Sequence, residues 1–236
     1  MKALILVGGK GTRLKPYTNV IPKPLLPVGD RPILEIILHQ LKSSGVKEIV
    51  LAVGHLSHLF ESFFGDGKDH DLKISYSFED KPLGTAGAIA NVLDELSEDF
   101  IVMNGDLLTT LNYKKLFDYH IKNKSNGTIA TFKREITIPF GVLDVDQNNK
   151  MISLVEKPTY PHNVGMGVNV LNKNIVKPIL ENNTYIDMPD LMLKIQKMHS
   201  NVFCYFEDCF WLDMGQPDEY EEANKIYEEN KKLFLY

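Results

Sequence analysis

The chain opens on "KALILV" (Lys2–Val7), an almost unbroken apolar run that stops at two glycines. Three β-rich runs of the same kind follow: "EIVLAV" (Glu48–Val53), "LKISYSF" (Leu72–Phe78) and "FIVMN" (Phe100–Asn104). The first and last of the four are nearly continuously apolar, as strands covered on both faces are. Helical patterns lie between them. "RPILEIILHQLKSSG" has Pro32 near its start, an apolar stripe at Ile33, Ile36, Ile37 and Leu41, and a stop at Gly45. "LSHLFESFFG" and "TAGAIANVLDEL" fill the next two gaps. Strand and helix in this alternation predict right-handed crossovers and a mostly parallel sheet. The opening glycines then fall at the carboxyl end of the first strand, the edge at which open α/β sheets bind ligands.

The second half is less regular. "GTIATFK", "FGVLDVD", "MISLVEK" and "VGMGVNVL" read as strands, the second and third joined by an Asn148-Asn149 turn. "MPDLMLKIQKMH" reads as a short helix, "NVFCYFE" as a strand, and "PDEYEEANKIYEENKKL" as a last helix starting at Pro217. There is no internal repeat, low-complexity tract or linker, so residues 1–236 are expected to form one domain with a substrate-facing lobe in the second half.

Composition narrows the classes. Hydrophobic residues make up 44% and charged residues 24% of the 236, the mix of a water-soluble globular chain. A formal net charge of -5 argues against a general nucleic-acid binder and leaves room for local anion-binding loops. The two cysteines, Cys204 and Cys209, fit a reducing compartment, and their spacing without further ligands is a poor zinc signature. His55 and His58 likewise lack a partner for a metal site. "MKALILVGG" is too short in its apolar run for a signal peptide, and no stretch approaches the roughly 20 apolar residues that cross a bilayer. A cytoplasmic protein without membrane partners is the expectation.

The chemistry gathers in "LILVGGKGTRLKPYTNVIPKPLLPV" (Leu4–Val28). Gly8, Gly9 and Gly11 keep side chains away, so backbone N–H groups can face a ligand closely. Arg13 offers a planar fork for phosphate oxygens and Lys23 a point charge, with Pro22 and Pro24 restricting the backbone on either side of the lysine. The string is no Walker loop, which needs Gly-x4-Gly-Lys-Ser/Thr. It also lacks the third glycine and the distal acidic residue of the dinucleotide fingerprint.

"GGKGTRLKPYTNVIPKPLLPV" resembles the signature of sugar-1-phosphate nucleotidylyltransferases, Gly-Gly-x-Gly-Thr-Arg-Leu-x-Pro-x-Thr followed by Pro-Lys-Pro. The resemblance extends over nearly the whole chain. It implies an α/β fold: a Rossmann-like, mostly parallel mixed sheet with helices on both faces, of the nucleotide-diphospho-sugar transferase type. It also implies a nucleotide-binding half at about 1–110 and a sugar-binding half at about 111–236. The implied reaction condenses a nucleoside triphosphate with a sugar 1-phosphate, giving a nucleotide-sugar and pyrophosphate. "PLGTAGA" leans towards the mannose-1-phosphate guanylyltransferase branch with its heptose relatives, with UTP, CTP, dTTP or ATP as other donors. A catalytically silent regulatory homologue is the rival from another class.

The resemblance also assigns residues. Arg13, Lys23 and Asp106 would be catalytic. Leu6, Gly8, Gly9, Gly11, Thr12, Arg13, Glu79, Gly84 and Thr85 would contact the nucleotide, the helix after Gly84 presenting an anion-friendly N-terminus. Gly141, Glu156, Lys157 and Gly167 would face the sugar phosphate, Lys157 holding its phosphate. Asp106 in "FIVMNGDLL" and Asp213 in "FWLDMGQPDEY" would hold Mg2+ or Mn2+, a hard cation suited to carboxylate and phosphate oxygens. Two positions depart from the family: Gly165 stands where Asn or Ser is usual, and Asn169 where Tyr is usual. The terminal "LFLY" offers aromatic residues as a contact surface for a homo-oligomer.

Overall fold

The computed structural model describes residues 1–79 and 81–235. In chain order the first half contains β1 (Lys2–Leu6), β2 (Pro27–Val28), β3 (Arg31–Pro32), α1 (Ile33–Ser43), β4 (Glu48–Val53), α2 (Ser57–Phe64), β5 (Lys73–Phe78), α3 (Gly84–Val92) and β6 (Asp99–Asn104). The second contains β7 (Leu107–Thr109), α4 (Tyr113–Lys122), β8 (Gly127–Thr137), β9 (Gly141–Val145), β10 (Met151–Glu156), β11 (Thr159–Asn172), α5 (Lys173–Val176), α6 (Met188–His199), β12 (Val202–Phe206), β13 (Trp211–Asp213) and α7 (Pro217–Phe234). Seven strands form one sheet in the order β12-β8-β11-β6-β1-β4-β5. Strand β11 runs antiparallel to both neighbours, while the other neighbouring pairs are parallel. The mixed, mostly parallel sheet is the expected one.

Side-chain alternation explains how helices cover both faces. Ala3 and Ile5 of β1, with Ile101 and Met103 of β6, point into a core completed by α1, α2, α4 and α7. Leu4, Phe100 and Val102 point the other way, into a core completed by α3, α5 and α6. Phe100, Ile101 and Val102 are all fully buried, which is why that strand shows no polar alternation in sequence. Each such side chain contributes about 1.5–3 kcal/mol relative to exposure.

Strands β8 and β11 run past the sheet. Residues 133–137 and 159–163 are exposed, a two-stranded arm longer than the apolar runs indicate. The arm carries the β9–β10 hairpin, whose turn is stabilised as expected near Asn148-Asn149: Asp146 Oδ1 accepts from the backbone N–H groups of Asn148 and Lys150, and Asn149 has φ +63°. Of the two aromatic residues of the terminal "LFLY", Phe234 is not available as a contact surface. Phe234 is buried at 1% exposure, stacked edge-on to Phe210 and tilted against Tyr227, because the kinked end of α7 turns it inward; Tyr236 lies outside the described residues. No helix among the described residues is long and apolar enough to cross a membrane.

Candidate active site

The glycine loop is built by close packing. After Leu6 ends β1, the Val7 N–H donates to the Ala52 carbonyl (3.0 Å), and the two strand ends then touch through glycine. A Cβ on Gly8 would lie 3.3 Å from the Gly54 nitrogen, and one on Gly54 would lie 3.0 Å from the Gly8 carbonyl oxygen. Positive φ is confined to Gly11 (+58°) in this loop. Its missing side chain leaves room for Thr18, whose hydroxyl donates to the Gly11 carbonyl (2.8 Å), and for Lys23, whose Cβ would be 3.3 Å away from a Gly11 Cβ. Gly9 differs: a Cβ there would meet nothing within 4 Å, so no contact within the protein demands its being glycine. Thr12 and Arg13 follow in a short 3-10 turn, and both are exposed. The Arg13 guanidinium lies beside Gly215, where a Cβ would come within 3.3 Å of Nη1.

Lys23 occupies another 3-10 turn (Lys23–Leu25), entered from Pro22, and is only 7% exposed. Its ammonium points at two carboxylates: Nζ is 2.5 Å from Asp106 Oδ2 and 3.5 Å from Asp213 Oδ1. Asp106 arrives through Gly105, whose N–H donates to the Leu6 carbonyl (3.0 Å) and where a Cβ would strike Val7 Cγ1 at 2.5 Å. Asp213 arrives through a ladder invisible in the sequence pattern. The three-residue strands β7 and β13 pair antiparallel with Asp213 opposite Leu107, one residue after Asp106. Burial, and then the neighbouring Asp106 charge, push the Asp213 carboxyl above its ordinary pKa, with Lys23 opposing. Two carboxylates against one ammonium leave a net negative charge and several free oxygen lone pairs, a donor set that fits a hard divalent ion completed by phosphate oxygens. Among the described residues no third His, Cys, Asp or Glu joins them.

On the other side of β1, Glu79 is half-buried at the end of β5, and its carboxylate accepts from the Leu83 N–H (3.3 Å). Burial raises its pKa, and the Leu83 hydrogen bond opposes that rise. Gly84 has φ +77°, and a Cβ there would lie 2.5 Å from the Ile186 carbonyl oxygen. The expected anion-binding N-terminus of α3 is already occupied. Asp187 Oδ1 accepts from the Thr85 N–H (3.1 Å), and the Ile186 carbonyl accepts from the N–H groups of Ala86 (3.0 Å) and Gly87 (3.1 Å). In return the Thr85 hydroxyl accepts from the Met188 N–H (2.7 Å) at the start of α6. Gly84 and Thr85 therefore form a helix-to-helix joint, in which the N–H groups of Thr85, Ala86 and Gly87 that an anion would need are already satisfied. Asp187 was missed by sequence reasoning; the signal was there, an Asp directly before a Met-Pro helix start.

The sugar-side candidates divide. Gly167 (φ +73°) sits at the register shift of β11, and a Cβ there would be 2.8 Å from Asn104 Nδ2, against the strand that leads to Asp106. Gly141 and Glu156 are paired across β9–β10, where a Gly141 Cβ would meet Glu156 Oε2 at 3.1 Å. Lys157 is exposed, its N–H donating to the Phe140 carbonyl (3.2 Å) with φ +48°. Among the described residues no hydrogen bond or ion pair links Glu156 or Lys157 to the carboxylate pair.

A strand-end glycine turn, an aimed lysine and a convergent aspartate pair, all on the carboxyl edge of a mostly parallel sheet, are the parts of an α/β protein that handles phosphates. The profile of the nucleotidyl transferase family matches residues 2–230, and the chain belongs to that family. It is 31% identical over 222 residues to a mannose-1-phosphate guanylyltransferase of Mycobacterium tuberculosis, covering 92% of this chain and 62% of that one. It is 30% identical over 227 residues to a D-glycero-alpha-D-manno-heptose 1-phosphate guanylyltransferase of Aneurinibacillus thermoaerophilus, covering 95% and 97%. Its fold superposes on a crystal structure of a candidate glucose-1-phosphate thymidylyltransferase from Bacillus anthracis in complex with sucrose. That match has a TM-score of 0.78 at 25% identity over 96% of this chain and 94% of the other.

Proposed function

We propose that the protein joins a nucleoside triphosphate to a sugar 1-phosphate, with GTP and a mannose- or heptose-type sugar as the first pair to test. The observation that carries the reaction is the convergence of Asp106 and Asp213 on Lys23 beside the glycine loop. A phosphate oxygen of the sugar 1-phosphate attacks the α-phosphorus. A new P–O bond forms there, and the bond to the β-phosphate oxygen breaks with its electron pair leaving on pyrophosphate. The attacking phosphate is already anionic at neutral pH, so no general base is required. The barrier is the meeting of two polyanions, which Arg13 and Lys23 lower at the triphosphate and Lys157 at the sugar phosphate. Asp106 and Asp213 would hold Mg2+ or Mn2+, which supplies Lewis-acid charge neutralisation at the phosphates when bound. Gly8, Gly9, Gly11 and Thr12 give the triphosphate close approach to backbone. Leu6, Glu79 and the Gly84–Thr85 joint lie on the base side, and Gly141, Glu156 and Gly167 on the sugar side.

The guanine preference follows the two guanylyltransferase relatives, whereas the thymidylyltransferase likeness keeps the other bases in the experiment. A matrix of five nucleoside triphosphates against several sugar 1-phosphates, read by pyrophosphate release, tests the reading. A silent regulatory homologue would release none in any cell of that matrix.

A further inference from the structure

Among the described residues Lys23 is the only buried lysine or arginine. Its Cβ lies beside the Gly11 turn, where an added Cβ would come within 3.3 Å of it, and its ammonium is placed between two carboxylates that lie 83 and 190 positions further along the chain. The space between those carboxylates is also where a divalent ion would bind, so one position is claimed by two cations. A buried ammonium cannot give up its anionic partners without acquiring others. The glycine loop beside it is the surface on which a triphosphate would provide them.

We propose that Lys23 is the resident cation of the Asp106–Asp213 pair. In the nucleotide-free protein it holds the two carboxylates together and competes with a divalent ion for them. It is released to phosphate oxygens when metal and triphosphate enter together. This inference rests on the metal role proposed above for the two aspartates. It makes the lysine a positioning residue for the metal site in addition to its contact with substrate, and it makes metal and nucleotide binding mutually reinforcing by linkage.

The test is Mn2+ titration of the nucleotide-free full chain, followed by the electron paramagnetic resonance of free Mn2+. Lys23→Met removes the competing charge and keeps most of the stem, so it is expected to bind Mn2+ about tenfold or more tighter than the unaltered protein, within the usual range of coupling. Lys23→Ala, which also removes the stem, must change affinity in the same direction, and Lys23→Arg, which keeps a cation there, must not tighten binding. Mn2+ affinity in Lys23→Met and Lys23→Ala equal to or weaker than that of the unaltered protein overturns the resident-cation role while leaving the metal site standing. Absence of Mn2+ binding in all four proteins overturns both. A lysine that merely supported the fold would lower melting temperature on removal without tightening Mn2+ binding.

Discussion

Gly84 and Gly9 separate what the fold requires from what a ligand requires. At Gly84 an added methyl meets the Ile186 carbonyl oxygen at 2.5 Å on a left-handed backbone, so Gly84→Ala is expected to cost about 1–3 kcal/mol of stability. Chemical denaturation measures this directly. At Gly9 the same methyl meets nothing within 4 Å, so Gly9→Ala is expected to change stability by less than about 0.5 kcal/mol. Its effect falls instead on a triphosphate lying against the loop, as a raised KM for the nucleotide. If Gly9→Ala leaves KM unchanged, the loop does not approach the triphosphate at that residue.

Helix α3 is tied to α6 rather than left open to an anion. Asp187→Ala would free the Thr85 N–H and loosen the joint, costing about 1 kcal/mol as lost caps do. Nucleotide KM should rise more than kcat falls, since among the described residues no hydrogen bond or ion pair links the joint to the carboxylate pair; a selective loss of kcat would contradict this. Helix α4 is tied to the sheet by His120, whose ring nitrogens lie 2.9 Å from Thr128 Oγ1 and 3.2 Å from Asp99 Oδ1. Burial depresses the His120 pKa below its ordinary 6.5, with Asp99 offsetting part of the shift. The folded protein therefore binds fewer protons here than the unfolded chain does. Stability from this group is present above pH 6.5 and declines as pH falls below it. Melting temperature should drop between pH 7 and 5.5, and less steeply in His120→Gln; parallel curves would remove His120 from the account. At this scale the sequence was informative where an element is long. The apolar runs of β1, β4, β5 and β6 and the stripe of α1 announced themselves by period and burial. Strands β7 and β13 did not, because three residues carry no period, and their pairing is set by a contact about a hundred positions away. The motif therefore named Asp213 through its family resemblance, while the ladder that delivers it to Asp106 became visible only in three dimensions. The satisfied N–H groups of α3 were hidden for the same reason: their acceptors, Ile186 and Asp187, lie far along the chain.

Across the whole molecule the candidate residues occupy two mechanically different bodies. The glycine loop and Asp106 follow the ends of central strands whose middle residues are buried, and Asp213 is held beside them by the β7–β13 ladder, with Lys23 between the two carboxylates. Glu156 and Lys157 ride on a hairpin at the end of an exposed arm, with Leu143, Ile152, Leu154 and Val155 each more than half exposed. Few buried apolar contacts mean low local opening free energy, so backbone amides of residues 140–157 should exchange with deuterium much faster than those of β1 and β6. The proposed division into a nucleotide half and a sugar half then has a direct readout. A nucleoside triphosphate with Mg2+ should slow exchange in residues 7–25 and 79–92 and leave the hairpin nearly unchanged. Adding the sugar 1-phosphate should slow exchange in residues 140–157, because the hold on the sugar phosphate proposed for Glu156 and Lys157 would restrain the arm. Protection by the sugar phosphate confined to the first half would place the acceptor site on the sheet edge near Gly167 and release the hairpin from any role in binding.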